Sequence, residues 1–529
     1  MTEGKTTTDY IYRCTPACRV YQGEYPHAVK RGDFSFPTRP IFLLISLAVS
    51  TKWRTFAAMM KTMDIKELYR LYQQHPCITT DSRDCPEGSI FLALKGGRFN
   101  GNEFAAQALS QGCALAIVDE APETSYDGKN QYPVYTADSL PPLGGIEGGI
   151  ILVDDALQTY KDLAREHRRQ FNIPVIAITG TNGKTTTKEL VKAVLSEKYN
   201  VLASEGNYNN DVGVPKTLFH LRPEHQIAII EMGASHPGDI KTLVETAEPT
   251  CGIITNVGRA HLQGFGSFEG VIKTKGELYD YLRTRQDGLV FLDADNDFLV
   301  DMITDEMWVT PYSTDPEKQY SCISGEVIPS DQPFLKFRWR KPLMELEETG
   351  ESQKWHKVQT QLVGLYNVKN LLAAVAVGIN FGVERKAICH ALEDYRPTNN
   401  RSQFVDTGHN RLVVDAYNAN PTSMMAALEN FCSLNAATPD GKMLILGDMR
   451  ELGADSAKEH QQLVDIIAET GISQVWLVGD EFSHTTCSFR KFPSVEEVKA
   501  ELQKNRPEGR LILVKGSNGT RLYELPSLL

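Results

Sequence analysis

The run VIAITGTNGKTTTKELVKAVL, residues 175 to 195, constrains this chain more than any other. Four apolar residues and a threonine that read as a buried strand enter a glycine turn, and the turn opens directly into a helical pattern. Such a junction cradles phosphate. Backbone N–H groups of the turn and of the helix N-terminus face an anion, Lys184 can reach terminal phosphates, and the Thr185 hydroxyl can ligate Mg²⁺. Ile178 stands where the fuller phosphate-loop pattern has its first glycine, so Gly180, Thr181, Asn182, Gly183, Lys184, Thr185 and Thr186 make a shorter loop.

Further apolar runs follow at 227 to 230 (IAII) and 251 to 255 (CGIIT), each trailed by glycine-rich turns and helical patterns. Strands alternating with helices imply a mainly parallel sheet, with ligands at the carboxyl ends of the strands. Two groups should fall in that layer. Glu231 directly follows IAII, as a Mg²⁺ ligand or as an ordinary exposed strand-end acid. His261 follows CGIIT within NVGRAHLQGFGS; a lone histidine is more often structural, so it gains weight only from its neighbours.

At 529 residues the chain has room for three or four domains. Residues 63–150 read as a small α/β domain, 151–396 as a central one, and 397–529 as a third with strands RLVVDAY, KMLILGD, QVWLVGD and RLILVKG. The glycine- and proline-rich PPLGGIEGG reads as the first linker and RPTNNRSQ as a hinge before the third domain. A net charge of -12 without a long Lys/Arg run argues against nucleic acid as a partner. Ten scattered cysteines, only Cys14 and Cys18 close together, read as reduced thiols in a cytoplasm. Residues 1–62 carry a short apolar stretch, Ile41 to Val49, behind Lys30, Arg31 and Arg39. It is too short for a stable membrane span; a signal sequence is one reading, and a translation start at Met59, Met60 or Met63 is the favoured one.

GTNGKTTT, GNYNNDVGVP at 206 to 215, EMGASHPGD at 231 to 239, NVGRAHLQGFGS at 256 to 267 and the downstream KTKGE together resemble the central domain of the Mur ligases, and the resemblance extends from Met63 to Leu529. It implies three α/β domains: a uridine-nucleotide domain, a central P-loop mononucleotide-binding parallel sheet and a C-terminal Rossmann-like domain. It also implies a reaction in which ATP phosphorylates a carboxylate and an amine then attacks the acyl phosphate. By position, Lys184 would neutralise the γ-phosphate, Thr185 and Glu231 would hold one Mg²⁺, and His261 would help hold a second. Lys275 stands where family members carry a carbamylated lysine, able to support metal; the alternative is a simple lysine on a helix. Asn209 and Asn210 would contact phosphate or metal-bound oxygens. LVGLYNVKNLLAAVAVG resembles the adenine-side motif, with Asn367 and Asn370, although Tyr366 stands where histidine is common. Arg401 would reach ATP from the hinge.

VVDAYNANPTSMMAAL, with Asp415, Tyr417, Asn418, Asn420 and Pro421, resembles the branch of the family that adds D-alanyl-D-alanine to a uridine-diphosphate muramyl tripeptide; Asp415 and Tyr417 would lie toward ATP, Asn418 and Asn420 toward substrate. LGDMREL followed by His460, and LVKGSNGTRLYE with Lys515, Gly516 and Ser517, resemble the same branch. In the first domain, Thr80, Asp81, Ser82 and Arg83 would contact uracil and pyrophosphate, with Lys95, Phe99, Asn100 and Gly101 along the sugar and peptide; structurally, the same DSR could merely close a turn. The implied protein is a monomer that does not insert in membranes. Alternatives are the third-residue-adding ligase, whose Asp-Asn-Pro motif is missing here, folylpolyglutamate synthetase, which the uridine motif disfavours, and a P-loop switch, for which Lys275 is dispensable.

Overall fold

The computed structural model describes residues 63–97, 99–120, 132–140, 148–315, 317–318, 321–342, 354–436 and 441–529. The expected N-terminal extension, with Cys14 and Cys18, lies outside them, as do residues 141–147 of the expected linker. The described chain forms two compact units, one ending at Gln170 and the other running from Phe171 to Leu529.

In the first unit, helix Ile65–Gln74 opens on Asp64, whose carboxylate accepts from the Lys66 N–H, and buries Leu68, Tyr69, Leu71 and Tyr72 at helical spacing. Its parallel sheet runs Ile78–Thr79, Ile90–Leu92, Leu115–Val118, Gly149–Leu152, Val134–Tyr135. Gly149–Leu152 pairs with Leu115–Val118, and helix Ala156–Arg169 follows in the same unit. The Tyr69 hydroxyl reaches His167 Nδ1 at 2.9 Å and ties this helix to the opening one. The first unit thus extends past the boundary expected at 150. A Gly-Gly-Ile segment looks like a linker locally, but its strand pairing is set by a partner far away in sequence.

The second unit holds two sheets. The nine-stranded one is parallel from Val201–Ala203 through Ile227–Glu231, Val175–Thr179, Cys251–Ile254, Leu289–Asp293 and Trp308–Ser313 to Ile323–Val327. Two further strands, Phe334–Arg340 and His356–Val363, extend it antiparallel. After Val175–Thr179 the chain builds strands on one side and then crosses to Cys251–Ile254 on the other. This is a switch point, where the carboxyl ends leave a crevice. The phosphate-loop helix Lys184–Ser196 is seated against Asn367–Asn380 through Leu190, Val191 and Val194 on one side and Leu371, Leu372 and Val375 on the other. A Cβ on Gly378 would stand 2.5 Å from Val194, so glycine permits the close approach. Each such buried aliphatic side chain contributes about 1.5–3 kcal/mol, which fixes the helix start in space.

The C-terminal sheet runs Gln403–Asp406, Arg411–Asp415, Leu511–Lys515, Lys442–Gly447, Gln474–Val478, Arg490–Phe492, parallel except for its first strand. Its register sets Asp415 beside Lys515 at the carboxyl ends. No helix among the described residues is long and apolar enough to cross a membrane.

Candidate active site

Gly180 has φ +140°, and a Cβ there would stand 2.0 Å from the Thr255 hydroxyl; Gly183 has φ +78° and lies against the Asn370 side chain. Only glycine takes both conformations without strain. The next strand's end props the loop. Thr181 N–H donates to the Asn256 carbonyl, Asn182 N–H to Asn256 Oδ1, and Thr255 Oγ1 to the Asn182 carbonyl. Lys184 Nζ folds back on the carbonyls of Gly180 and Thr181 at 2.8 and 3.1 Å, and Thr186 is buried behind it.

The metal question turns on two atoms. Thr185 Oγ1 and Glu231 Oε2 are both buried without a hydrogen-bond partner among the described residues. Glu231 is 2% exposed, which removes the reading of an ordinary surface acid. Its other oxygen accepts from Asn209 Nδ2 at 3.0 Å. A hydroxyl and a carboxylate left without partners are hard oxygen donors, and they fit Mg²⁺. Among the described residues no three His, Cys, Asp or Glu side chains gather as a metal-ligand set.

Sequence reasoning missed Lys188, one helical turn past Lys184. It is 1% exposed, donates to the Ser204 carbonyl at 2.6 Å, and lies 4.0 Å from Glu231 Oε2. Its signal was the i, i+4 spacing from Lys184.

Lys275 is 2% exposed, and burial, with repulsion from Lys184, holds its ammonium well below the usual lysine range. Its Nζ stands 5.8 Å from the Phe265 ring, against which the His261 ring also packs edge-on. His261 itself, at φ +50°, meets Glu451 Oε2 through Nδ1 at 2.5 Å.

Burial, with Arg401 adding repulsion and Glu231 partly offsetting both, brings the Lys184 ammonium down to about 8. Phosphate favours the charged form, so nucleotide binding should take up a proton above that pH. Affinity is expected to be level below pH 8 and to fall about tenfold per unit above it. Calorimetric titration in buffers of different ionisation heat checks this; absence of proton uptake above pH 8 would contradict it.

The hinge and the C-terminal strand ends converge on the same loop. Arg401 sits between Asn400 (φ +56°) and Ser402 (φ +49°) and stacks 3.9 Å over the Tyr417 ring. Asn420 caps helix Pro421–Ser433 and donates to Asn182 Oδ1 at 2.8 Å, reaching the phosphate loop directly. Asn370 bonds Thr187 and Asn367, and Asn367 bonds the Val363 carbonyl and Ser402, so both stand behind the loop. Asn210 is engaged in capping, accepting from Gly213 N–H at 2.8 Å. Ser517 Oγ accepts from Arg450 N–H.

In the first unit the two expected groups lie on separate turns. Asp81 takes Arg83 in a bidentate pair at 2.8 Å within the turn Thr80–Arg83, with Ser82 half-buried. Lys95 lies 2.9 Å from both Asp119 and Glu120, Asn100 donates to Glu120, and Phe99 is 60% exposed. Gly101 allows its backbone against Leu94. Asn102, which bridges Asn100 and Asp119, was not anticipated.

Three family models match: "Mur ligase family, catalytic domain" over residues 76–168, "Mur ligase middle domain" over 178–378 and "Mur ligase, glutamate ligase domain" over 400–518. The UDP-N-acetylmuramoyl-tripeptide--D-alanyl-D-alanine ligase of Escherichia coli is 33% identical over 407 residues, 76% of this chain and 81% of that protein. The chain belongs to the Mur ligase family. The ligase of the same name from Bacillus subtilis is 30% identical over 85% of this chain and 92% of its own. The crystal structure of MurF from Acinetobacter baumannii superposes on this Mur ligase with a TM-score of 0.71 at 29% identity, covering 88% of this chain and 98% of that one.

One contact in this Mur ligase makes a stability prediction. Lys515, 1% exposed, bonds Asp415 at 2.6 Å and the Asn418 carbonyl at 3.2 Å. Lys515→Met strands Asp415 and is expected to lower stability by about 3 kcal/mol, most of it recovered by adding Asp415→Asn. Denaturant unfolding of the single and double variants checks this; a single variant as stable as the parent would refute it.

Proposed function

We propose that the chain is the ATP-dependent ligase that joins D-alanyl-D-alanine to a uridine-diphosphate N-acetylmuramoyl tripeptide, through an acyl phosphate, giving the pentapeptide nucleotide, ADP and phosphate. The observation that carries the reaction type is the buried pair Thr185 Oγ1 and Glu231 Oε2, both without a hydrogen-bond partner among the described residues, close to Lys184 of the phosphate loop. The branch rests on relatives of that name matched over most of their length.

The carboxylate and ATP are both anions, so the site must screen their repulsion before it can align them. Lys184 would leave its two carbonyls for the γ-phosphate. Asn209 holds Glu231 in place while Lys188 stands behind it. Thr185 and Glu231 would hold Mg²⁺, with His261 and a carbamylated Lys275 toward a second ion; bound, these ions supply the positive charge that offsets the phosphoryl oxygens. Arg401, stacked on Tyr417, brings a further cation from the hinge. Asp415, Asn367 and Asn370 are assigned to the nucleotide side; Asn210, Asn418, Asn420, Lys515 and Ser517 to the substrate side. In the first unit, Thr80–Arg83 with Lys95, Phe99, Asn100 and Gly101 would take the uridine nucleotide, the exposed Phe99 ring offering a stacking face.

The described cysteines are free thiols, in keeping with action in the cytoplasm, where both nucleotides are made. The ligation groups all lie within residues 171–529 of one chain, which suits a monomer. Phosphate release should require ATP, Mg²⁺, the tripeptide nucleotide and D-alanyl-D-alanine together. Release without the dipeptide, or with a different amine in its place, would assign the chain to another branch.

A further inference from the structure

The segment after Lys442–Gly447 is held unusually firmly. The Asp448 carboxylate accepts from the N–H groups of Glu481 and Phe482 at 3.1 and 3.0 Å. The Met449 N–H donates to Nε2 of His460, a fully buried ring whose Nδ1 lies 2.8 Å from the Ser456 carbonyl. The Arg450 N–H donates to Ser517 Oγ at 3.2 Å. Three consecutive residues are therefore pinned to helices Asp480–Ser483 and Ser456–Glu469 and to Ser517, which follows strand Leu511–Lys515. The next one, Glu451, adopts φ +66° and projects its carboxylate onto His261 Nδ1, itself on a residue at φ +50°.

Two non-glycine residues in the left-handed region, meeting at 2.5 Å, form a contact that surrounding structure must impose. That structure is visible. A Cβ on Gly453 would lie 3.3 Å from Gln263, one on Gly258 would lie 3.3 Å from Thr422, and Asn420 bonds Asn182. Loops and helix starts that follow strands of the C-terminal sheet thus meet those that follow strands of the phosphate-loop sheet around His261.

We propose that Glu451 is a positioning residue for His261: carried on the pinned Asp448–Arg450 segment, it fixes the imidazole by Nδ1 when the two sheets are together, and so readies Nε2 as a divalent-cation ligand. The chemistry is that of a carboxylate behind a metal-binding histidine. With Nδ1 donating to the carboxylate, the ring's lone pair is confined to Nε2 and its basicity rises. Metal binding and the approach of the two segments then become one event, because the carboxylate and the ring lie on segments that follow strands of different sheets. LGDMREL, His460 and Ser517 acquire a purpose that nucleotide contact does not give them: they build the rigid base from which Glu451 reaches. This inference rests on His261 being a metal ligand.

Glu451 is 63% exposed at its side chain, so Glu451→Ala leaves the core intact. The test is a Mn²⁺ titration of the full chain, followed by electron paramagnetic resonance with a non-hydrolysable ATP analogue, on the parent, Glu451→Ala, His261→Ala and the double variant. Glu451→Ala is expected to weaken the weaker Mn²⁺ site about tenfold or more with an unchanged melting temperature. In the His261→Ala background it should have no further effect. If His261→Ala weakens that site and Glu451→Ala titrates like the parent, Glu451 does not act through His261 and the inference falls. If His261→Ala itself changes nothing, the metal assignment falls and takes the inference with it.

Discussion

Replacing Lys184 with methionine is expected to lower turnover by about three orders of magnitude while the protein stays folded. Among the described residues Lys184 makes no ion pair; its Nζ rests on two loop carbonyls, and burial disfavours its charged form. Removing it should therefore relieve the folded state as much as it disturbs it. The loss falls on the reaction. Charge builds on the phosphoryl oxygens as the carboxylate attacks, and a cation aimed there in a dry site is typically worth 10²- to 10³-fold or more. Lys184→Arg should recover little, since a planar fork cannot occupy a position shaped by two carbonyls 2.8 and 3.1 Å from a single ammonium. Turnover and melting temperature, measured together, decide the matter. A methionine variant within tenfold of the parent would show that the phosphate loop binds nucleotide without serving the chemistry.

The second large effect is expected at Lys275. A buried ammonium repelled by Lys184 is a poor resident, and burial with that repulsion shifts the group toward its neutral amine. A neutral amine is the form that adds carbon dioxide. A carbamate there would be an anion, turning repulsion from Lys184 into attraction, and would lie near the Phe265 ring against which His261 also packs. Lys275→Ala is accordingly expected to cut ligation at least a hundredfold while the protein stays folded, because it removes a side chain whose charged amine form burial and Lys184 already disfavour. A ¹³C-bicarbonate NMR experiment should show a carbamate resonance in the parent that Lys275→Ala lacks. Full ligation activity in the alanine variant would show that neither a carbamate nor an amine at Lys275 serves the reaction.

Local signals carried much of this architecture. The strand, glycine turn and helix from 175 to 195 lie where the apolar run and Gly180–Lys184 place them, because every part of that motif is set by neighbours in sequence. The four strands named in the C-terminal third are likewise present, since each is a short apolar run bounded by turn residues. Contacts between distant segments were less accessible. The end of the first unit at Gln170 depends on Gly149–Leu152 finding Leu115–Val118. Strands Phe334–Arg340 and His356–Val363 alternate buried and half-buried residues, yet they carry no motif and were not singled out. Asn210 looks from sequence like Asn209, but a helix begins three residues on, so its side chain caps that helix while Asn209 turns to Glu231. Lys188 lies one helical turn past Lys184, but its approach to Glu231 is tertiary, as is the pairing of Glu451 with His261, which no spacing along the chain expresses.

The central claim is ligation through an acyl phosphate on the muramyl tripeptide, and isotope transfer tests it most directly. The tripeptide nucleotide is labelled with ¹⁸O in both oxygens of its terminal carboxylate and incubated with ATP, Mg²⁺, D-alanyl-D-alanine and the enzyme. One carboxylate oxygen attacks the γ-phosphorus as ADP leaves; the amine then attacks the carbonyl, loses a proton, and expels phosphate carrying that oxygen. The account predicts pentapeptide nucleotide retaining one ¹⁸O in the new amide and one ¹⁸O in each phosphate released. Unlabelled phosphate, or ATP consumed with no pentapeptide formed, would contradict it.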